Sequence, residues 1–153
     1  MAALDRHDCL VVAPGQRGLN HAYSLLSDTI RATLVCGLDP HAGFLHSGQR
    51  NNALALDLME KFRAVIADSV VIGAFNNGEL KRRDVSEALG TVNLREEARK
   101  NLIAAYGRRI TSIFQHPLFS YTVIWRRAIE IQERLVVGVI DGTQPGYQGI
   151  RFR

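Results

Sequence analysis

Apolar residues recur along most of the chain at three- and four-residue steps, the period of helices that bury one face. From Gly18 to Cys36 the expected buried stripe is Leu19, Tyr23, Leu26, Ile30 and Leu34, with Asp28 and Arg31 off it. Gly37 fits the left-handed position after a helix, and Pro40 forbids continuation. From Ala53 to about Ile72 apolar residues lie nearly all round, so this helix is expected to be buried, with Asn51 or Asn52 as its N-cap. A polar interruption follows. Asn76-Asn77-Gly78 is a turn signal, and a short solvated hairpin or loop is expected near residues 74–92. Asn93 and Glu96 have the spacing of a capping box for a helix from Glu96 to Phe114, buried through Leu94, Ala98, Leu102, Tyr106, Ile110 and Phe114. Pro117 ends it. A last helix is expected from near Ser120 to about Ile140, with Trp125, Ile129, Gln132, Val136 and Val139 inward, Gly142 as its stop and an extended strap after Thr143.

These elements make a mainly α protein, a multi-helix bundle over residues 18–153. Residues 1–17 show neither period, carry a Pro14-Gly15 turn and read as a poorly ordered leader. The 153 residues suit one domain, long enough to bury around two-thirds of its unfolded surface. Net charge is +4, with arginine far outnumbering lysine, which permits an anionic partner such as DNA without requiring one. Cys9 and Cys36 form no Cys-x-x-Cys pair, which suits a reducing cytoplasm. No apolar run reaches membrane-span length and the start lacks a signal-peptide pattern, so a cytoplasmic protein is expected.

The chemistry concentrates on the expected buried helix. Asp57 and Glu60 stand three apart, on one face and one turn from each other, and Arg63 extends the row. Two carboxylates on a buried face repel each other and are costly unless compensated. A divalent cation would compensate them; so would Arg63 or Arg50 as ion-pair partners, and spacing alone leaves both open. His46 enters just upstream, and one histidine beside two carboxylates is a ligand mix that Mg²⁺ or Mn²⁺ sites use. Lys81-Arg82-Arg83 reads as a solvated charge cluster, with phosphate contact as the alternative. Phosphate-binding Gly-rich loops, nucleophile elbows and zinc spacings are all absent from the sequence.

The stretch Gly37-Leu-Asp-Pro-His-Ala-Gly-Phe-Leu-His46, followed by Leu54-Ala-Leu-Asp57-Leu-Met-Glu60-Lys-Phe-Arg63, resembles the metal-binding core of a family of CRISPR-associated endonuclease/integrases, the Cas-one family. Leu19-Asn20-His-Ala-Tyr23 upstream resembles its Asn-x-x-Tyr helix. The Glu96 helix, His116-Pro117, Arg127 with Gln132, Tyr147 and Arg153 fit its ending. The resemblance covers about residues 18–153 as spaced motifs in order.

It implies insertion of short DNA fragments into a CRISPR array, by attack of a 3′-hydroxyl on a phosphodiester at a bound Mg²⁺ or Mn²⁺. His46 and Glu60 are the implied ligands, with Asp57 auxiliary. Arg63 would touch a phosphate or hold a carboxylate; Arg50, Arg127 and Gln132 are implied DNA contacts, and Tyr23 a further one. Partners implied are DNA, a second copy in a homodimer and a small second adaptation protein. The family's first ligand, a glutamate, has no counterpart, since no glutamate precedes Glu60, and its N-terminal β-rich domain is missing. The expectation is therefore the C-terminal helical lobe alone, folded and prone to self-association, with little activity by itself. The alternative is a non-catalytic helical DNA-binding or interaction remnant.

Overall fold

Helix α1, Leu19–Val35, packs against every other long helix and is the axis of the bundle. The structure is a computed structural model that describes residues 19–44, 52–88, 91–116 and 119–150, with the backbone alone at 19–23, 86–88 and 91–93. The expected leader at 1–17 lies outside the described residues. The buried face of α1 is Leu25, Thr29, Ala32 and Thr33, whereas Leu34 is 60% exposed. The expected stripe through Leu26, Ile30 and Leu34 is therefore rotated. The cause is in the threonines: Thr29 and Thr33 donate their hydroxyls to the carbonyls of Leu25 and Thr29 at 2.8 and 2.7 Å. Bonded to their own helix, they behave as short apolar residues and let neighbours approach closely. The helix ends as expected. Gly37 has φ +78°, and the Gly37 and Leu38 N–H groups bond back to Leu34 and Thr33, a Schellman closure.

The second helical segment comprises α2, Ala53–Phe62, a π-helical stretch, Arg63–Asp68, and α3, Ser69–Asn76. In the π stretch the Ser69 N–H bonds back to Ala64, five residues earlier. The Val65 carbonyl accepts the Ser69 hydroxyl at 2.7 Å and the Arg109 guanidinium at 2.7 and 3.0 Å. Arg109 also lies over the Trp125 ring, 4.5 Å from its centroid, and Trp125 stacks on Phe114 at 3.9 Å. Phe62 and Ile66 of this segment join Leu25, Leu102, Ile110 and Ile129 in the core.

A hairpin, β1 Val85–Ala88 with β2 Thr91–Leu94, fills the expected interruption, paired antiparallel from Val85↔Leu94 to Ala88↔Thr91. Asn93 stands in β2 opposite Ser86, so it does not cap the next helix; Arg95 occupies the N-cap of α4, Glu96–Thr111, with no side-chain cap bond. Glu96 and Glu97 in the first turn and Arg108 and Arg109 in the last suit the helix dipole instead. Beyond α4 the expected helix ends are replaced by a second hairpin, β3 Ile113–Gln115 with β4 Thr122–Ile124. Its β-branched and aromatic residues favour a pleated surface over another helical turn. Helix α5, Trp125–Ile140, follows, and Gly142 at φ +77° stops it. The buried face of α4 agrees with its expected stripe at Ala98, Leu102, Tyr106 and Ile110. No described helix is long and apolar enough to cross a membrane.

Charge pairs fasten α1 to the later helices. Asp28 lies 3.2 Å from Arg126 and 3.7 Å from Arg31, Arg31 reaches Glu130 at 3.3 Å, and Glu130 also holds Arg127. Inside this network the buried Tyr106 hydroxyl donates to Asp28 at 2.8 Å, and burial raises its pKa. Replacing Tyr106 by phenylalanine should cost about 1.5–3 kcal/mol in urea unfolding, the scale of a hydrogen bond to a charged acceptor. An unchanged midpoint would show that the Arg31 and Arg126 pairs hold Asp28 without it.

Candidate metal centre

The loop that follows α1 is stitched to the start of α2. Asn52 occupies the N-cap position as expected, but at φ 50° its side chain makes no cap bond. The Pro40 carbonyl takes over, accepting the Leu54 N–H at 2.9 Å and the Ala55 N–H at 3.4 Å. His41 Nδ1 accepts the Asn52 N–H at 3.1 Å. Gly43 lies so close to Ala53 that a side chain at that position would collide with it. One turn further on, Asp57 Oδ2 accepts the Phe44 N–H at 2.6 Å. The Gly-x-Asp-Pro-x-x-Gly-Phe motif is thus a helix cap made from a loop.

On that helix Asp57 is half-buried, and its carboxylate ties down the loop two residues before His46 in sequence. Glu60, one turn on, is exposed and meets Arg63 at 3.3 Å, with side chains 46% and 51% exposed. A pair so open to water is worth about 0–1 kcal/mol and is readily exchanged for another partner. The expected salt-bridge alternative is thus present for Glu60, weakly. His46 and Arg50 lie outside the described residues. Asp68, in the π stretch, was not singled out by spacing. Burial raises its pKa, Arg63 opposes that and Glu60 adds to it, so the three form one electrostatic neighbourhood. Eight residues beyond Glu60, Asp68 would not align with it on a regular α-helix; only the wider π turn could have signalled it.

Two expected DNA contacts sit on α5. Arg127 is exposed but paired with Glu130. Gln132 faces inward, as its spacing predicts, and is 1% exposed. Its amide oxygen accepts the Tyr147 hydroxyl at 3.1 Å and the Ile150 N–H at 2.9 Å, so in this arrangement it clamps the tail. Lys61, beside Glu60, stands 3.8 Å above the Tyr147 ring, and burial lowers its pKa. The strap therefore crosses from α5 to the last turn of α2.

As a donor set, Asp57 and Glu60 offer hard carboxylate oxygens one turn apart, the kind Mg²⁺ and Mn²⁺ accept. Among the described residues Glu60 has only a solvent-screened partner, Arg63, to exchange, and the loop leading to His46 is anchored on Asp57. These two residues fit as part of a site for such an ion. Among the described residues no group of three His, Cys, Asp or Glu side chains completes one.

A family model described as CRISPR associated protein Cas1 matches residues 17–108, which include this loop and helix. A CRISPR-associated exonuclease Cas4/endonuclease Cas1 fusion of Geobacter sulfurreducens is 43% identical over 131 residues, 84% of this chain and 23% of that protein. The CRISPR-associated endonuclease Cas1 3 of Thermus thermophilus is 37% identical over 142 residues, 92% of this chain and 43% of its own. In three dimensions the chain is similar to a casposase bound to its integration product, with TM-score 0.74 and 22% identity over 84% of this chain and 35% of that one. That likeness concerns the fold, and it agrees with a mainly helical bundle. The chain spans less than half the length of each of these proteins. With a family model over more than half of its residues, and such relatives across most of its length, this chain belongs to the Cas1 family of CRISPR-associated proteins.

Proposed function

We propose that these residues form the helical, metal-bearing lobe of a cytoplasmic DNA endonuclease/integrase of CRISPR adaptation, which inserts short DNA fragments into the CRISPR array. The observation that carries this reading is the Asp57–Phe44 anchor, which ties the loop leading to His46 to the helix bearing Glu60. His46, Glu60 and Asp57 are the proposed ligands of Mg²⁺ or Mn²⁺. When bound, such an ion would polarise the phosphoryl oxygen of the array phosphodiester under attack by a fragment's 3′-hydroxyl. Asp57 would keep one oxygen on the Phe44 N–H and so orient the loop. Arg63, which now neutralises Glu60, would turn to a DNA phosphate, and Arg50 and Arg127 would follow the backbone. A glutamate from outside these residues would complete the site. A second copy in a homodimer and a small second adaptation protein are the proposed partners.

Calorimetric titration with Mn²⁺ tests the ligand set on the chain itself. The parent should bind weakly, and His46→Ala or Glu60→Ala should each abolish the heat. Absence of binding at roughly millimolar metal, or binding that survives both substitutions, would leave a DNA-binding or inert helical module as the better description.

A further inference from the structure

Asp68, the last residue of the π stretch, is half-buried, and among the described residues it makes neither a hydrogen bond nor an ion pair. A carboxylate taken partly out of water without such a partner costs stability, so its presence needs a reason. Helix capping is not that reason. Asp68 opens α3, but its side chain makes no cap bond, and the Ser69 N–H is already bonded back to Ala64. Besides burial, the groups that act on its carboxylate are Arg63 and Glu60, in opposite senses. On a regular α-helix Arg63 and Asp68 would point about 140° apart. The wider π turn closes over five residues and brings both to one side, a turn apart. Arg63 therefore stands between two carboxylates, Glu60 before it and Asp68 after it. Among the described residues it is paired with the first alone, at 3.3 Å, and both side chains of that pair are about half exposed.

We propose that Asp68 is a positioning residue of the metal site, the second seat of the Arg63 guanidinium: Arg63 pairs with Glu60 in this arrangement and crosses to Asp68 when a divalent ion takes the Glu60 carboxylate. The exchange costs little. The Glu60–Arg63 pair is screened by solvent and gives up little when it opens. A half-buried carboxylate holds a cation more firmly than an exposed one, because water screens it less. An ion on Glu60 also repels a guanidinium beside it, which drives the same movement. Without Asp68 the displaced cation would stay close to the ion and oppose its binding. Five donors let the guanidinium keep two on Asp68 and offer the rest to a DNA phosphate, so the seat fixes where that phosphate is met. The inference deepens the metal reading above and rests on it for the displacing ion, while the second seat is a property of the helix itself.

Two measurements on the 153-residue chain test the seat, one with metal and one without. The first is Mn²⁺ calorimetry run as a double-mutant cycle. Asp68→Asn should weaken Mn²⁺ binding about threefold to fivefold while Arg63 is present, the scale of one screened ion pair. In the Arg63→Gln background the same substitution should change binding little. An equal loss in both backgrounds overturns the proposal, because Asp68 then acts on the ion directly; no loss in either overturns it too. The second measurement follows exchange of the Arg63 Nε–H with water by NMR, with chelator present. Glu60→Gln removes the charge of the first seat, so Arg63 should stay protected in that variant by moving to Asp68. Adding Asp68→Asn should then speed its exchange severalfold, whereas in the parent background Asp68→Asn should alter it little. A merely structural Asp68 would change both backgrounds alike. Arg63 exchanging like free arginine in Glu60→Gln alone overturns the second seat, and that result needs no Asp68 variant to fold. Protection of Arg63 in Glu60→Gln beside a parent that gives no Mn²⁺ heat keeps the second seat and sinks the metal reading alone.

Discussion

Glu133→Gln should make the protein more stable than the parent at pH 8, while near pH 4.5 the two should differ little. Glu133 on α5 is 0% exposed, and among the described residues neither carboxyl oxygen has a hydrogen-bond partner. The favourable group beside it is the Thr33 hydroxyl, whose own proton already goes to the Thr29 carbonyl. Burial pushes the carboxyl up to about 8; Thr33 and Arg31 oppose the shift and Glu130 adds to it. The sign follows from proton counting. Between the ordinary value of 4.5 and about 8, the folded protein keeps a proton that the unfolded chain releases. Stability therefore falls as pH rises through that window, by up to about 1.4 kcal/mol per unit, and levels off above it. Glutamine keeps the shape without the charge and removes this fall, a total on the order of a few kcal/mol. Urea unfolding of both proteins across the window reads the difference directly, because every other titrating group is shared. Parallel profiles would mean that Glu133 is compensated in the folded state.

Arg109→Met should destabilise the fold by about 2–4 kcal/mol in chemical unfolding, although Arg109 is not part of the core. Its two nitrogens share the Val65 carbonyl in a charge-assisted fork, together worth about 1.5–3 kcal/mol where desolvated. Its stacking over Trp125 adds about 0.5–1 kcal/mol. Burial already lowers its pKa, so the cation is held partly out of water and its loss is felt beyond the charge. Methionine keeps most of the stem, which isolates the guanidinium. Lysine should not rescue, because a single ammonium cannot both bond the carbonyl and lie flat on the indole. A methionine variant within about 0.5 kcal/mol of the parent would show that the Ser69 hydroxyl satisfies Val65 alone.

The helical architecture was legible because four segments carry the 3.6-residue period over several turns, and the stops at Gly37 and Gly142 need glycine for a physical reason. The errors share a cause: polar residues whose partners are local or distant. Thr29 and Thr33 are not in the expected stripe, yet they bond to their own helix and turn inward. Asn93 has the spacing of a cap but is claimed by the strand pairing with Ser86. Glu133 has no sequence signal for burial; only tertiary packing puts a carboxylate there. For the candidate site, helical spacing placed Asp57 and Glu60 on neighbouring turns, while the bonds that hold the preceding loop to α2 depend on backbone geometry that no residue pattern spells out. Gln132 was read correctly as inward, yet its partners come from the tail, across 15 and 18 residues of sequence.

The π-helical stretch at Arg63–Asp68 separates the rotational phase of α2 from that of α3. An α-helix turns its side chains by about 100° per residue, so deleting one residue here would restore a regular ladder and swing everything downstream by roughly that angle. Asp57 and Glu60 would keep their setting against the loop. Val70, Ala74 and Phe75, buried on α3, would be carried off the core. These six positions therefore act as a gear whose tooth count is fixed: a residue gained or lost there changes which face α3 turns to the core.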